Sequence, residues 1–326
     1  MSRSSTEALA IGLGASALAL GRRRSAQARF AERLHAALGA RGVPGLPGPA
    51  QAAPEEAAAE AALAVAVAPE GAHAPDLTIE LDSALRYSEE GALDALRRAL
   101  ATDAPQATGN ALRGPRAKRR ASIVLDDFWG NHAIVRGDFR TLRSADVGEV
   151  ARAYFADVLG VDAALLSIGW QLREDGRALF ASALSRTLHD GIHDACAAAQ
   201  AEVASLTLGL PHVLNRTRRA VVGREGLLLV IGETMLHAVS IENGRWCAVD
   251  GQRVFANPNA GRVPLAEVAR HVFERSCTRR GDDCPVYLCG AAVDQGQFDE
   301  VFDHVHLLTD HTSAQAPSLR LMEFAQ

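Results

Sequence analysis

The sequence predicts an α/β fold of two lobes, and three observations carry that prediction. Strand-like and helix-like patterns alternate along most of the chain, with hairpin signals among them. Leu227-Leu-Leu-Val-Ile231 is apolar at every position, the pattern of a strand buried on both faces. Three times a strand pattern runs into glycine and small polar residues, a duplicated arrangement suited to a cleft between lobes. With 326 residues, 48% of them apolar and 22% charged, the chain can fill such a core.

Residues 1–75 are biased toward Ala, Gly and Pro. Leu9 to Leu20 reads as two short strands around a Gly-Ala-Ser turn, and Ala26 to Leu38 as an amphipathic helix. Gly42 to Ala50, with four residues later Pro54, reads as a linker, since proline fixes φ and lacks the amide donor. Whether the opening strands belong to the first lobe or to a tail stays open at this level. Leu77 to Leu81 is a strand, and Leu93, Leu96 and Leu100 mark one face of a helix. Arg113 to Arg120 reads as a solvated basic loop. Ile123–Leu125 and Ala133–Val135 are strands around Asp126 to Asn131. Ser144 is placed to cap a helix that Gly160 ends.

Leu165–Leu172 and Ala178–Leu184 are strands joined through Asp175-Gly176. A helix is expected from Ser185 to Val203, then a short strand Leu206–Leu210 ended by Pro211. Leu236–Ile241 and Arg245–Val249 flank Asn243-Gly244, a strong hairpin signal because both turn residues need positive φ. Pro264 opens a helix. Val286–Cys289 is a strand running into Gly290, and Phe298–Val305 a helix. The expected boundaries are an N-terminal segment 1–75, a first lobe 76–184, a second lobe 185–285 and a return to the first lobe over 286–326.

Composition excludes several functions. The single lysine, Lys118, stands against 33 arginines, so there is no Walker A motif, and lysine Schiff-base chemistry is not expected. A net charge of −5 argues against a dedicated nucleic-acid binder. Five cysteines without CxxC spacing suit free thiols in a reducing compartment. No apolar run reaches the roughly 20 residues of a spanning helix, and a basic cluster, not a cleavage site, follows Ala8–Gly21. His189, His193 and Cys196 share a helix stripe, but 189 and 196 are about 10 Å apart along the axis. A helix edge beside a core stripe is the reading preferred over a metal site, and no metal is expected.

The cleft residues come in three pieces. The first is Ile11-Gly-Leu-Gly-Ala-Ser16, or else Ile79-Glu-Leu-Asp-Ser83. The second is Val230-Ile-Gly-Glu-Thr234, and the third Val286-Tyr-Leu-Cys-Gly-Ala-Ala-Val293. Glycine lets backbone amides approach an anion, so Gly232, Glu233, Thr234, Gly290 and Ala291 are the candidate nucleotide-binding positions.

This order, over roughly residues 77–310, resembles the actin-like ATPase superfamily, and within it the type IV pilus assembly protein family PilM and the cytoplasmic domain of the type II secretion protein GspL. Arg177–Leu184, the following helix and Leu206–Arg216 carry the likeness, together with Ser122–Arg136, Leu228–Gly244 and Tyr287–Val293. The resemblance implies an actin-like, ribonuclease H-like fold of mixed sheets flanked by helices. It also implies an aspartate on each phosphate hairpin to hold magnesium and water. The matching positions here are Val230, and Gly12 or Glu80. A valine offers no oxygen to a hard cation, so no efficient ATPase is expected, and no cofactor beyond ATP bound without hydrolysis. Strand alternation would turn Glu233 away from the face of Gly232. The resemblance implies a scaffold in the cytoplasm, peripheral to the bacterial inner membrane. Its partners would be the cytoplasmic tail of an inner-membrane pilus or secretion protein, and a secretion motor ATPase.

Overall fold

The structure, a computed structural model, describes residues 8–22, 75–103, 119–254, 265–276, 284–290, 295–308 and 316–326. The expected helix at 26–38, the linker and Ala291 lie outside them. Two five-stranded sheets have the same strand order. The first runs β3 (Leu77–Glu80), β2 (Ala17–Arg22), β1 (Ala8–Leu13), β4 (Arg119–Leu125), β8 (Ala201–Leu208). The second runs β11 (Arg245–Arg253), β10 (Met235–Glu242), β9 (Gly226–Ile231), β12 (Val286–Gly290), β13 (Val305–Leu307). In each, three antiparallel strands are followed by two parallel ones. A third sheet, β5 (Gly130–Arg136), β7 (Ala178–Ser185) and β6 (Leu166–Leu172), is inserted between β4 and β8.

The helices cover the sheet faces. α1 (Glu89–Thr102) starts where Ser88 accepts from the Gly91 amide, and its Leu93–Leu96–Leu100 stripe is buried with Leu188 and Ile192 of α3 (Arg186–Ala198). α2 (Ser144–Leu159) packs on the inserted sheet and ends at Gly160, φ 64°. Its cap is Arg143, with Asp146 reaching back, one residue before the expected Ser144. α4 (Gly209–Thr217) leaves β8 and lays Leu210, Val213 and Leu214 on the second sheet. α5 (Leu265–Ser276) and α6 (Gln295–Asp299) cover that sheet's other face. α7 (Pro317–Phe324) returns to the first sheet, packing on Ala10, Ala19 and Val124.

Several expectations are corrected. The opening hairpin, whose place in lobe or tail the sequence leaves open, is part of the first lobe: β1 pairs with β4 along its whole length, because its apolar residues, buried on both faces, complete that sheet. The 185–203 helix stops at Ala198. Gln200 takes φ 56°, and the chain turns into β8, which belongs to the first lobe and not the second. Gly209–Leu210 opens a helix instead of ending a strand, since Pro211 falls in its first turn, where its missing donor costs nothing. The region 298–305 holds only the end of α6, then β13. Arg119, expected in solvent, is 5% exposed and pairs with Asp103. Asn243 and Gly244 do take positive φ, 51° and 68°.

Gly12 sets how close α7 can come. A Cβ there would meet the Ser318 carbonyl oxygen at 2.1 Å and the Met322 amide nitrogen at 2.3 Å, whereas one at Gly21 would meet the Met322 sulfur at 2.9 Å. Backbone cannot yield as a flexible thioether can. We therefore expect Gly12→Ala to destabilise by about 2–3 kcal/mol and Gly21→Ala by under about 1 kcal/mol, read from urea unfolding followed by circular dichroism.

Candidate functional site

The cleft lies between two turns of the same construction. In the β1–β2 turn, the Gly14 amide donates to the Ala17 carbonyl at 2.8 Å; in the β9–β10 turn, Gly232 donates to Met235 at 2.8 Å. The Leu81 amide closes on the Ser16 carbonyl, and the Val254 amide on that of Thr234. The first piece is therefore Ile11-Gly-Leu-Gly-Ala-Ser16, and Ile79–Ser83 is the end of the third strand of its sheet and the loop beyond. Val230-Ile-Gly-Glu-Thr234 is its counterpart.

The two turns touch. The Ser16 hydroxyl donates to the Glu233 carboxylate, with oxygens at 3.0 and 3.2 Å. Strand alternation does not govern Glu233, because β9 ends at Ile231 and residue 233 belongs to the turn. Thr234, 2% exposed, donates from Oγ1 to Asp126 Oδ1 at 3.2 Å. The Arg253 guanidinium lies over the Phe128 ring, 4.7 Å from its centroid. Farther along, Arg136 Nε donates to the Cys247 carbonyl at 3.0 Å and its guanidinium meets Glu242 at 2.7 Å. Arg245 pairs with Asp175 at 2.6 Å. The lobes are tied by the chain's own side chains along the length of the cleft.

The end of β4 supplies the acids that sequence reasoning missed. Leu125 stands beside Leu13 as Gly290 stands beside Ile231, so Asp126 and Asp127 follow β4 where Ala291 follows β12 in the chain. The Asp126 amide donates to the Leu13 carbonyl, and its carboxylate accepts from the Phe128 amide at 2.8 Å. Burial, then the Asp127 charge, push the Asp126 carboxyl up to about 6. Asp127 Oδ1 accepts from the Leu210 amide at 2.9 Å, capping the start of α4, and from His132 Nε2 at 2.8 Å. Burial pushes the Asp127 carboxyl up, but the hydrogen bond and charge of His132, with the amide, outweigh it and hold the group below its ordinary range. A carboxylate only accepts, so His132 Nε2 donates to it, while Nδ1 lies within hydrogen-bond distance of Ser182 Oγ, 2.9 Å away. His237, opposite Val230 on β10, is 3% exposed, and burial pushes it down to about 4, leaving it neutral.

Of the candidate positions, Gly232, Glu233 and Thr234 are together in the β9–β10 turn, and Gly290 ends β12 beside Ile231, buried in the second sheet. Val230 is 6% exposed and packs with Val239 and Cys289. Gly12 faces α7 and presents no side chain. The His189 and His193 rings lie side by side on α3, tilted by 40° with centroids 4.7 Å apart; Cys196 is buried on the same helix, its thiol pushed up by burial to about 11.

No protein-family model and no curated protein matches the sequence. Solved structures do match by shape. A Bacteroides thetaiotaomicron protein described as having an actin-like ATPase fold and unknown function superposes with a TM-score of 0.54 at 7% identity, covering 98% of this chain and 96% of the other. This chain has the actin-like ATPase fold. Its twin five-stranded sheets and facing turns are that fold's two lobes. The structure of the PilM–PilN type IV pilus biogenesis complex matches with a TM-score of 0.50 at 13% identity, covering 98% and 96%. The cytoplasmic domain of EpsL, an inner-membrane component of the Vibrio cholerae type II secretion system, gives 0.44 at 10% identity, covering 98% and 94%. Among the described residues, no helix is long and apolar enough to cross a membrane.

Asp126 and His237 give opposite pH dependence. With its native value near 6 and an ordinary value of 3.8, Asp126 holds a proton that the unfolded chain has released, so its contribution is present below pH 4 and lost as pH rises to 6. With a native value near 4 against 6.5, His237 contributes above pH 6.5 and loses that contribution as pH falls to 4. The two offset each other over pH 4–6. Asp126→Asn leaves only the rising half, so its stability should climb relative to the parent by about 1 kcal/mol between pH 4.5 and 6, measured by urea unfolding at both pH values.

Proposed function

We propose that this protein is a non-catalytic actin-like scaffold or adaptor of a bacterial pilus or secretion-type assembly platform, sitting on the cytoplasmic side of the inner membrane. One observation carries the reading: the hydrogen bond from Ser16 to Glu233 joins the two turns that hold phosphates in an actin-like ATPase. A carboxylate stands where an anion would bind, with Asp126 and Asp127 behind it, and like charges at such range repel strongly. The positions that carry aspartate in the ATPases are Gly12 and Val230 here. What a bilobed fold without turnover still offers is a fixed pair of lobes on whose edges and grooves a peptide can dock. The PilM–PilN complex, whose fold this chain shares, supports a short cytoplasmic tail of a membrane protein as the partner, with a secretion motor ATPase as a second. ATP binding without hydrolysis is compatible with this role.

A second reading, an ATP-binding ATPase or small-molecule kinase with an atypical metal shell, is favoured by the Asp126–Asp127 pair, which brings two carboxylates to the cleft from β4.

One pair of assays separates them. Purified protein mixed with ATP and magnesium should release no phosphate above background over an hour. Peptides spanning the cytoplasmic tails of inner-membrane pilus and secretion proteins from the same genome should include one that binds. Stoichiometric phosphate release within minutes, with none of the peptides bound, overturns the scaffold reading.

A further inference from the structure

Asp127, His132 and His237 converge at the base of the cleft, where their donor atoms all lie within 4.8 Å of one another. Among the described residues this is the sole group of three such donors within reach of one ion. They come from both lobes. Asp127 follows β4 and His132 sits on β5 in the first lobe, while His237 sits on β10 in the second. His237 is the telling member. Its ring is 3% exposed and makes no hydrogen bond among the described residues, and its neighbour is the His132 ring, centroids 5.5 Å apart. A neutral imidazole keeps one ring nitrogen lone pair for an ion, and no protein donor occupies that of His237 among the described residues.

We propose that these three side chains bind one divalent transition ion of the zinc class, which clasps the two lobes together and keeps a fourth position for water. Two imidazoles and one carboxylate suit zinc, cobalt or nickel; magnesium and calcium prefer all-oxygen shells. Tetrahedral coordination sets donor atoms about 3.4 Å apart, a spacing close to the present one, in which all three lie within 4.8 Å. The outer shell is already in place. His132 Nδ1 lies 2.9 Å from Ser182 Oγ, and the Leu210 amide holds Asp127. With the ion on Nε2, the ring is neutral with its proton on Nδ1, which donates to Ser182 Oγ. The site needs no nucleotide.

The test uses the full chain, stripped with a chelator and dialysed against zinc or cobalt(II). The expected result is one ion per chain by elemental analysis, a cobalt absorption band of low coordination number, and a thermal midpoint raised by zinc but not by magnesium. His237→Leu and the near-isosteric Asp127→Asn should each lose at least tenfold in affinity, Ser182→Ala about tenfold, and His189→Ala nothing. Substoichiometric metal in the parent, metal retained at full affinity by Asp127→Asn, or metal lost in His189→Ala each overturns the proposal. Should His237→Leu fail to fold, by circular dichroism, Asp127→Asn decides.

Discussion

The closing of one hairpin turn on the other is the constraint around which this molecule is arranged. Two turns with the same backbone hydrogen bonds face each other, and a serine hydroxyl on one donates to a carboxylate on the other. In an open cleft, the inward amides of such turns are free for an anion. Here the Glu233 carboxylate of one turn accepts from the Ser16 hydroxyl of the other. Thr234 then bonds to Asp126 behind it, and Arg253 stacks over Phe128 at the side. The exposed contacts among these are individually weak, and the buried one between Thr234 and Asp126 joins them across the same interface, so that separating the lobes breaks them all.

The fold holds those turns in register through two unusually close contacts. α7 lies directly on β1 because residue 12 has no side chain, and the helix backbone fills the space that a side chain there would take. Asp127 grips the first turn of α4, the helix that leads from the first sheet to the second. A carboxylate at a helix start is stabilised by the free amides there, and that same group orients His132. The acid therefore serves connection before chemistry: it fixes the hinge helix, the imidazole and, through Ser182, the inserted sheet.

Much of this was legible in the sequence. The hairpin at Leu9–Leu20, the all-apolar β9, the Asn243-Gly244 turn and the strand into Gly290 follow from periodicity and turn chemistry, and their repetition pointed to two lobes. Other features were not legible, for identifiable reasons. The strand β8 starts as polar as its surroundings, so the end of α3 was set too late; its true stop is a single left-handed residue, Gln200, which is no usual signal. The place of the opening hairpin depended on pairing with β4, more than a hundred residues away, and no local pattern carries that. Asp126 and Asp127 were passed over because glycine and small polar residues were sought at strand ends; reading β4 against β12 as copies of one unit would have found them. His237 hides in a strand pattern, and only the pairing with Val230 shows that it shares the valine's face.

The lobes should therefore behave as one body whose separation nucleotide does not change. Spin labels on cysteines introduced at Glu90 of α1 and Glu267 of α5, in a background without the native thiols, report that separation by pulsed electron resonance. One narrow distance distribution, the same with and without saturating magnesium-ATP, is the predicted result. A broad distribution, or a shift of several ångströms on adding nucleotide, would contradict a cleft held shut by its own side chains.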